Sequence, residues 1–178
     1  MLKIIAGLYK SQKLQQPPGS LTRPVSQKVR AAIFDVLGDR VVGATAVDLF
    51  AGSGALGFEA LSRGAEFVLF VDKSPKAKRV IVENAKLLGV NSQVKILVSD
   101  AGKLGVSLDL KFDIIFIDPP YAKFSIELVN SIANLLKSTG VMVVSSSSKT
   151  ELAGLSDKLT VVQHKIYGDT QIAYITKI

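Results

Sequence analysis

From residue 45 to residue 145 the chain alternates segments rich in Val, Ile and Phe with segments of helical spacing, and few folds accommodate that rhythm. The strand-like segments are 45–50, 67–72, 94–100, 112–118 and 140–145. They are apolar on both faces, as parallel strands covered by helices on both sides must be. Helical spacing appears at 55–63, 75–88 and 125–137, and Gly64, Gly89 and Gly140 stand where those helices should stop. Alternating β and α elements predict a doubly wound α/β fold with a parallel sheet. The end of the chain breaks the rhythm. Residues 159–167 and 171–178 are two strand-like runs joined by Gly168-Asp169-Thr170, which reads as a β-hairpin. A terminal hairpin brings the count to seven strands and puts an antiparallel strand into a mostly parallel sheet. That marks the Rossmann-like methyltransferase sheet rather than a dinucleotide dehydrogenase.

Ahead of residue 45 the pattern differs. Residues 3–7 and 13–16 look extended and are followed by a Pro17-Pro18-Gly19-Ser20 loop. Residues 26–37 then place Val29, Ala32, Ile33, Val36 and Leu37 at helical spacing, with Ser26 as N-cap and Gly38 as stop. The first 40 residues hold seven basic and two acidic side chains, a balance of +5, against +2 for the remaining 138. We therefore expect a small basic N-terminal extension (1–40) packed on a main domain (41–178). A basic arm on a nearly neutral body fits a nucleic-acid footprint, and a solvated tail explains the charge equally well. Ser145–Ser148 reads as a loop after the fifth strand.

Composition removes several function classes. With no cysteine there is neither a disulfide framework nor a thiolate metal site, and the single histidine, His164, precludes a His-cluster metal centre. No apolar run exceeds five residues, so no membrane span is expected. The N-terminus turns polar too quickly for a signal peptide, and the cytoplasm is the expected location.

Asp48-Leu-Phe-Ala-Gly-Ser-Gly-Ala-Leu-Gly57 is a strand, a glycine-rich turn and a helix start. Gly52 and Gly54 permit close approach of a ligand to the backbone, and the helix N-terminus favours negative charge there. Asp72, twenty residues after Gly52, stands where a ribose-binding acid belongs. NAD and S-adenosylmethionine both fit so far. Asp48 favours the latter, because that ligand carries an ammonium and a sulfonium. So does Asp100-Ala101, which ends the third strand where a carboxylate can accept an adenine amino group. Each residue also has a plain structural use: Asp48 as acceptor for local backbone donors, Asp72 and Asp100 as helix caps, the glycines as turn formers. The expected cofactor site is Asp48, Phe50, Ala51, Gly52, Ser53, Gly54, Asp72, Lys73, Asp100 and Ala101.

The fourth strand runs into Asp118-Pro119-Pro120-Tyr121. Prolines hold the turn rigid and donate no N–H, leaving carbonyls to accept. A carboxylate beside such a carbonyl can take both protons of an exocyclic amino group, and a tyrosine ring can stack on the flipped base. This is the layout of an amino-group methyltransferase; a rigid strand-end turn with no chemistry is the bland alternative.

Together these residues resemble the bacterial small-subunit ribosomal RNA guanine-N2 methyltransferases. The resemblance covers nearly the whole chain. It rests on Ile4-Ile5-Ala6-Gly7, Lys13-Leu14, Arg23-Pro24 with Val29-Arg30 and Phe34, the Asp48–Gly57 motif with Glu59-Ala-Leu-Ser-Arg-Gly-Ala65, Asp118–Tyr121 and Tyr167-Gly168. It implies that Gly52, Ser53 and Gly54 line the methionine end of the cofactor, Asp72 holds the ribose, Asp100 the adenine, and Asp118–Tyr121 the guanine. Val25, Asp35 and the serine run after Val144 depart from the family's usual threonine, asparagine and glutamate. Lys10, Lys13, Arg23 and Arg30 are the expected RNA contacts. Ribosomal RNA in a small subunit or an assembly intermediate is the expected partner of a monomeric enzyme. An adenine-N6 methyltransferase, a catalytically idle RNA-binding protein of the same fold and an NAD oxidoreductase remain open at this point.

Overall fold

The computed structural model describes residues 2–18, 25–104 and 108–178. Seven strands, β1 (Thr45–Leu49), β2 (Phe67–Asp72), β3 (Val94–Val98), β4 (Phe112–Ile117), β5 (Leu136–Ser147), β6 (Leu159–Tyr167) and β7 (Thr170–Lys177), form one sheet. Their order is β3-β2-β1-β4-β5-β7-β6, and only β7 runs antiparallel to its neighbours. The order reverses between β1 and β4, whose ends align at Leu49 and Ile117. Ligands of such sheets bind in the crevice beyond that edge.

Alternation along each buried strand divides the core in two. Ala46, Phe70, Ile114 and Phe116 face one side, packed under α1 (Gln27–Leu37), α2 (Ala55–Ser62) and α3 (Pro75–Leu88). Val47, Leu69, Ile115 and Ile117 face the other, packed with Val129 of α4 (Ile126–Ser131). Asp48 and Asp118, one step beyond Val47 and Ile117, therefore project on the side of α1 and α2.

The N-terminal segment shares the first core through Leu2, Ile4 and Leu14. Its backbone is held by polar groups of α2. The Glu59 carboxylate accepts the N–H groups of Ile5 (2.8 Å) and Ala6 (3.1 Å), and Ser62 Oγ donates to Ala6 O (2.6 Å) and accepts from Tyr9 N–H. A side chain at Gly7 would drive its Cβ to 1.8 Å from the Ser62 carbonyl oxygen, so only glycine lets this segment lie on α2. Farther on, Asn84 of α3 bonds both backbone groups of Gln15 and the carbonyl of Ser53, coupling the extension to the glycine turn.

Most elements fall where the sequence puts them; Ser26 caps α1 by accepting Val29 N–H. Two differ. The helix expected over 125–137 stops at Ser131, because Leu136 joins the sheet opposite Phe112 and β5 begins there; Gly140 consequently lies inside β5, not at a helix end. The serine run expected as a loop is strand. Ser145, Ser146 and Ser147 pair with Ile172, Gln171 and Thr170 of β7, and Ser146 Oγ accepts from Gln171 Nε2. Among the described residues no helix is long and apolar enough to cross a membrane.

Candidate active site

The turn after β1 is built from backbone conformations few residues adopt. Phe50, Gly52 and Gly54 have φ of 62°, 56° and 78°. A phenylalanine in the left-handed region is uncommon, and such strain concentrates at functional sites. The turn is held from the neighbouring strand: Ala51 N–H donates to Val71 O (3.0 Å) and Gly52 N–H to Asp72 Oδ2 (2.9 Å). Asp48 Oδ2 accepts Gly57 N–H (2.9 Å) in the first turn of α2, where helix donors lack carbonyl partners. At Gly57 a Cβ would stand 2.3 Å from the Phe70 ring, so the third glycine serves helix–sheet packing.

Beyond the strand ends opens one cavity of about 1090 Å³. It is lined by Asp48, Phe50, Ala51, Gly52, Ser53, Asp72, Lys73, Asp100 and Ala101 of the expected cofactor site and by all of Asp118–Tyr121. Gly54 alone of that set lies behind it, as the N-cap of α2 against Phe58 and Phe70. The structural uses of the acids coexist with this placement. Asp72 Oδ1 accepts Ser74 N–H ahead of α3, and Asp100 caps a short turn by accepting Gly102 N–H.

The carboxyl groups at the centre are poorly solvated. Burial pushes Asp48 well above the usual carboxylate range, its bond from Gly57 opposes that, and the charges of Asp118 and Asp72 add to it. Burial likewise raises Asp118 to about 6, tempered by the nearby Ser145 hydroxyl. A cation entering this cavity would meet two carboxyl groups that gain by its presence.

The basic residues are divided. Lys10 and Lys13 are exposed on the N-terminal segment, outside the cavity. Arg23 lies outside the described residues. Arg30 departs from the expectation of a surface phosphate contact: its side chain is 1% exposed, its Nε lies 3.7 Å from Glu59 Oε2, and its Nη2 donates to Lys3 O. The apolar periodicity of α1 turns Arg30 inward with Val29, Ile33 and Phe34.

The chain matches, over residues 2–176, the family described as "Conserved hypothetical protein 95". It is 32% identical to YlbH of Bacillus subtilis (strain 168), provisionally named an rRNA methyltransferase, over 99% of both chains. It is 28% identical to ribosomal RNA small subunit methyltransferase D of Escherichia coli (strain K12), over 97% of this chain and 87% of that one. This chain belongs to the bacterial small-subunit ribosomal RNA methyltransferase family. The solved structure of yhhF from Escherichia coli, a methyltransferase by provisional name, superimposes with a TM-score of 0.89 at 26% identity, covering 99% of this chain and 97% of that one. The fold is accordingly the Rossmann-like one of S-adenosylmethionine-dependent methyltransferases.

Several residues of the cavity, among them Ser145, Lys123, Tyr167 and Thr170, were not singled out from sequence as site residues. Ser145, in β5, is buried, with its hydroxyl close enough to Asp118 to favour the carboxylate. Lys123 follows the Asp-Pro-Pro-Tyr turn and faces Lys73, whose proximity holds the Lys123 ammonium below the usual lysine range. Tyr167 and Thr170 flank the hairpin turn and bring β6 and β7 to the same opening. Tyr167-Gly168 was the one signal available for this edge.

Proposed function

We propose that the protein methylates the exocyclic 2-amino group of a guanine in small-subunit ribosomal RNA, with S-adenosylmethionine as methyl donor. The observation that carries this reading is the half-buried Asp118, its pKa raised to about 6, at the end of β4 between the glycine turn and the Pro119-Pro120-Tyr121 turn, all on one cavity. The cavity suits the cofactor: about 1090 Å³ is room for it and a base, and carboxylates answer its ammonium, sulfonium and ribose. Bound there, it supplies a methyl group on a positively charged sulfur.

The residues of the chain do the rest by positioning. Phe50–Ser53 and Asp48 take the methionine end, Asp72 and Lys73 flank the ribose, and Asp100 with Ala101 takes the adenine. The guanine amino nitrogen is a weak nucleophile because its lone pair is delocalised into the ring. Asp118 accepts one of its hydrogens. The Pro120 carbonyl is committed to Lys123 N–H (2.7 Å), so the Pro119 carbonyl is assigned the other hydrogen. Held this way, the nitrogen lone pair is turned out of conjugation, and the carboxylate stabilises the positive charge that grows on nitrogen. Tyr121, 48% exposed at the cavity mouth, offers its ring to the flipped base. The family relatives' names support ribosomal RNA as the substrate. A chain of 178 residues has little surface for reading sequence, which favours a preassembled particle that presents one base.

Labelled S-adenosylmethionine with unmodified small subunits, free ribosomal RNA and DNA, followed by nucleoside mass spectrometry, tests the reading. N2-methylguanosine from subunits or RNA is expected. N6-methyladenine would overturn the target, and no transfer to any of the three would overturn the activity.

A further inference from the structure

Arg30 is a buried cation with bonding capacity left over. Its Nε and Nη1 have no hydrogen-bond partner among the described residues, although the side chain is 1% exposed. The only carboxylate facing it among the described residues, Glu59, also holds Arg63, whose Nε is closer at 2.8 Å and whose guanidinium lies 5.0 Å over the Phe34 ring. One carboxylate thus serves two guanidiniums, and Arg30 holds the weaker share. Burial lowers its pKa, with Glu59 opposing and Arg63 adding to that effect. A charge only partly paired in such a place is costly, and a further anion would lower that cost.

The surrounding space is open. Arg30 lines the large cavity and an adjoining one of about 250 Å³; Gln16, Val25 and Ser26 line both. The first N–H groups of α1, at Gln27 and Lys28, have no carbonyl within the helix to accept them, and the helix dipole adds positive potential there. We propose that Arg30 and the first turn of α1 form an anion seat in the cavity wall that takes the carboxylate of the bound cofactor. This rests on the proposed use of S-adenosylmethionine. A carboxylate is favoured over an RNA phosphate because the other cavity cations, Lys73, Lys76 and Lys123, are exposed, whereas Arg30 is buried in the wall. The wall carrying Arg30 is also tied to the glycine turn through Gln15, Asn84 and Ser53. Asp48 and Asp118 for the cationic groups and Arg30 for the carboxylate would match the cofactor's charges one by one.

Titration calorimetry with S-adenosylhomocysteine and its decarboxylated analogue, on wild type, Arg30→Met and Arg30→Lys, tests the assignment. The wild type should prefer the carboxylated ligand about 10- to 100-fold, the worth of a charge-assisted pair. Arg30→Met should reduce that preference to about threefold or less, and Arg30→Lys should restore part of it. The ratio of two affinities within one variant is insensitive to a partly unfolded fraction. A wild type that binds both ligands equally, or an Arg30→Met variant with full preference, overturns the seat while leaving the methyltransferase reading intact. Full preference in Arg30→Met together with weaker binding of small ribosomal subunits and a flatter salt dependence would instead give the site to an RNA phosphate. A folded wild type that binds neither ligand removes the cofactor reading itself.

Discussion

The Tyr121 and Thr170 hydroxyls share a hydrogen bond that ties the turn after β4 to the first residue of β7. The ring expected to stack on the target base is therefore braced by the C-terminal hairpin, from the far end of the chain. Losing the bond while keeping the ring should cost little: Tyr121→Phe and Thr170→Val should each lower turnover about two- to tenfold, the usual worth of one hydrogen bond. Removing the ring in Tyr121→Ala should cost about 10- to 100-fold, as for a base–aromatic stack. Single-turnover rates on small subunits separate the two, and equal losses in all three variants would count against stacking.

Asp118 gives a prediction in pH. Burial raises its pKa from 3.8 to about 6, so the folded chain holds this proton more tightly than the unfolded chain. The stability this contributes is complete below pH 3.8 and lost as pH rises through 6. Asp118→Asn, which never ionises, should match wild type near pH 4 and exceed it at pH 8 by up to about 2–3 kcal/mol. Activity should run the other way. The wild-type rate should rise with pH about a midpoint near 6, as the accepting carboxylate forms. Asp118→Asn should lose about 100-fold or more at every pH. Melting curves at both pH values and a rate profile from pH 5 to 8 measure both. A variant less stable than wild type at pH 8 would contradict the strained carboxylate.

Which parts of this molecule were legible in its sequence follows from how local their causes are. The strand β2 and helix α3 could be bounded to the residue, because the Phe/Val/Leu run of β2, Pro75 and Gly89 act within a few positions. The cavity's acids were legible because four strands end in carboxylates at one sheet edge. β5 was legible only in part: 140–145 reads as strand, whereas Ser146 and Ser147 carry no apolar alternation, and their strand geometry comes from β7, some 25 residues later in the chain. The same distance hid Ser145 and Thr170 as cavity residues. The charge of Arg30 suggests a phosphate partner, yet its helical spacing beside Val29 and Ile33 already points it inward.

Glu59 joins three parts of the fold through one carboxylate. It accepts from Ile5 and Ala6 N–H, from Arg63 Nε at 2.8 Å, and faces Arg30. Glu59→Gln leaves two guanidiniums, one of them fully buried, without a counter-charge. We expect a loss of about 3–5 kcal/mol in urea unfolding, the cost of breaking a buried pair by removing one partner. Because Glu59 also fastens the backbone of residues 5 and 6, trypsin should cut faster at Lys10 and Lys13 in this variant. An unchanged unfolding midpoint would mean that Arg63 and Arg30 find other partners.

The lysines predict where RNA phosphates land. Lys10 and Lys13 stand exposed on the N-terminal segment, whereas Lys73 and Lys123 crowd each other at the cavity mouth, where a phosphate between them would relieve their repulsion. Removing one lysine–phosphate pair should flatten the slope of log affinity against log salt by about 0.7–0.9. Lys10→Ala with Lys13→Ala should therefore reduce the slope by about 1.5 if both bind the backbone, and leave turnover at saturating RNA unchanged. Lys123→Ala should reduce it by about 0.8 and also lower turnover, since a phosphate held there lies next to the base that must reach Asp118. Filter binding of small subunits across a salt series reads both slopes. If only the Lys123 change matters, docking is centred on the cavity mouth, and the basic balance of the N-terminal segment serves solubility.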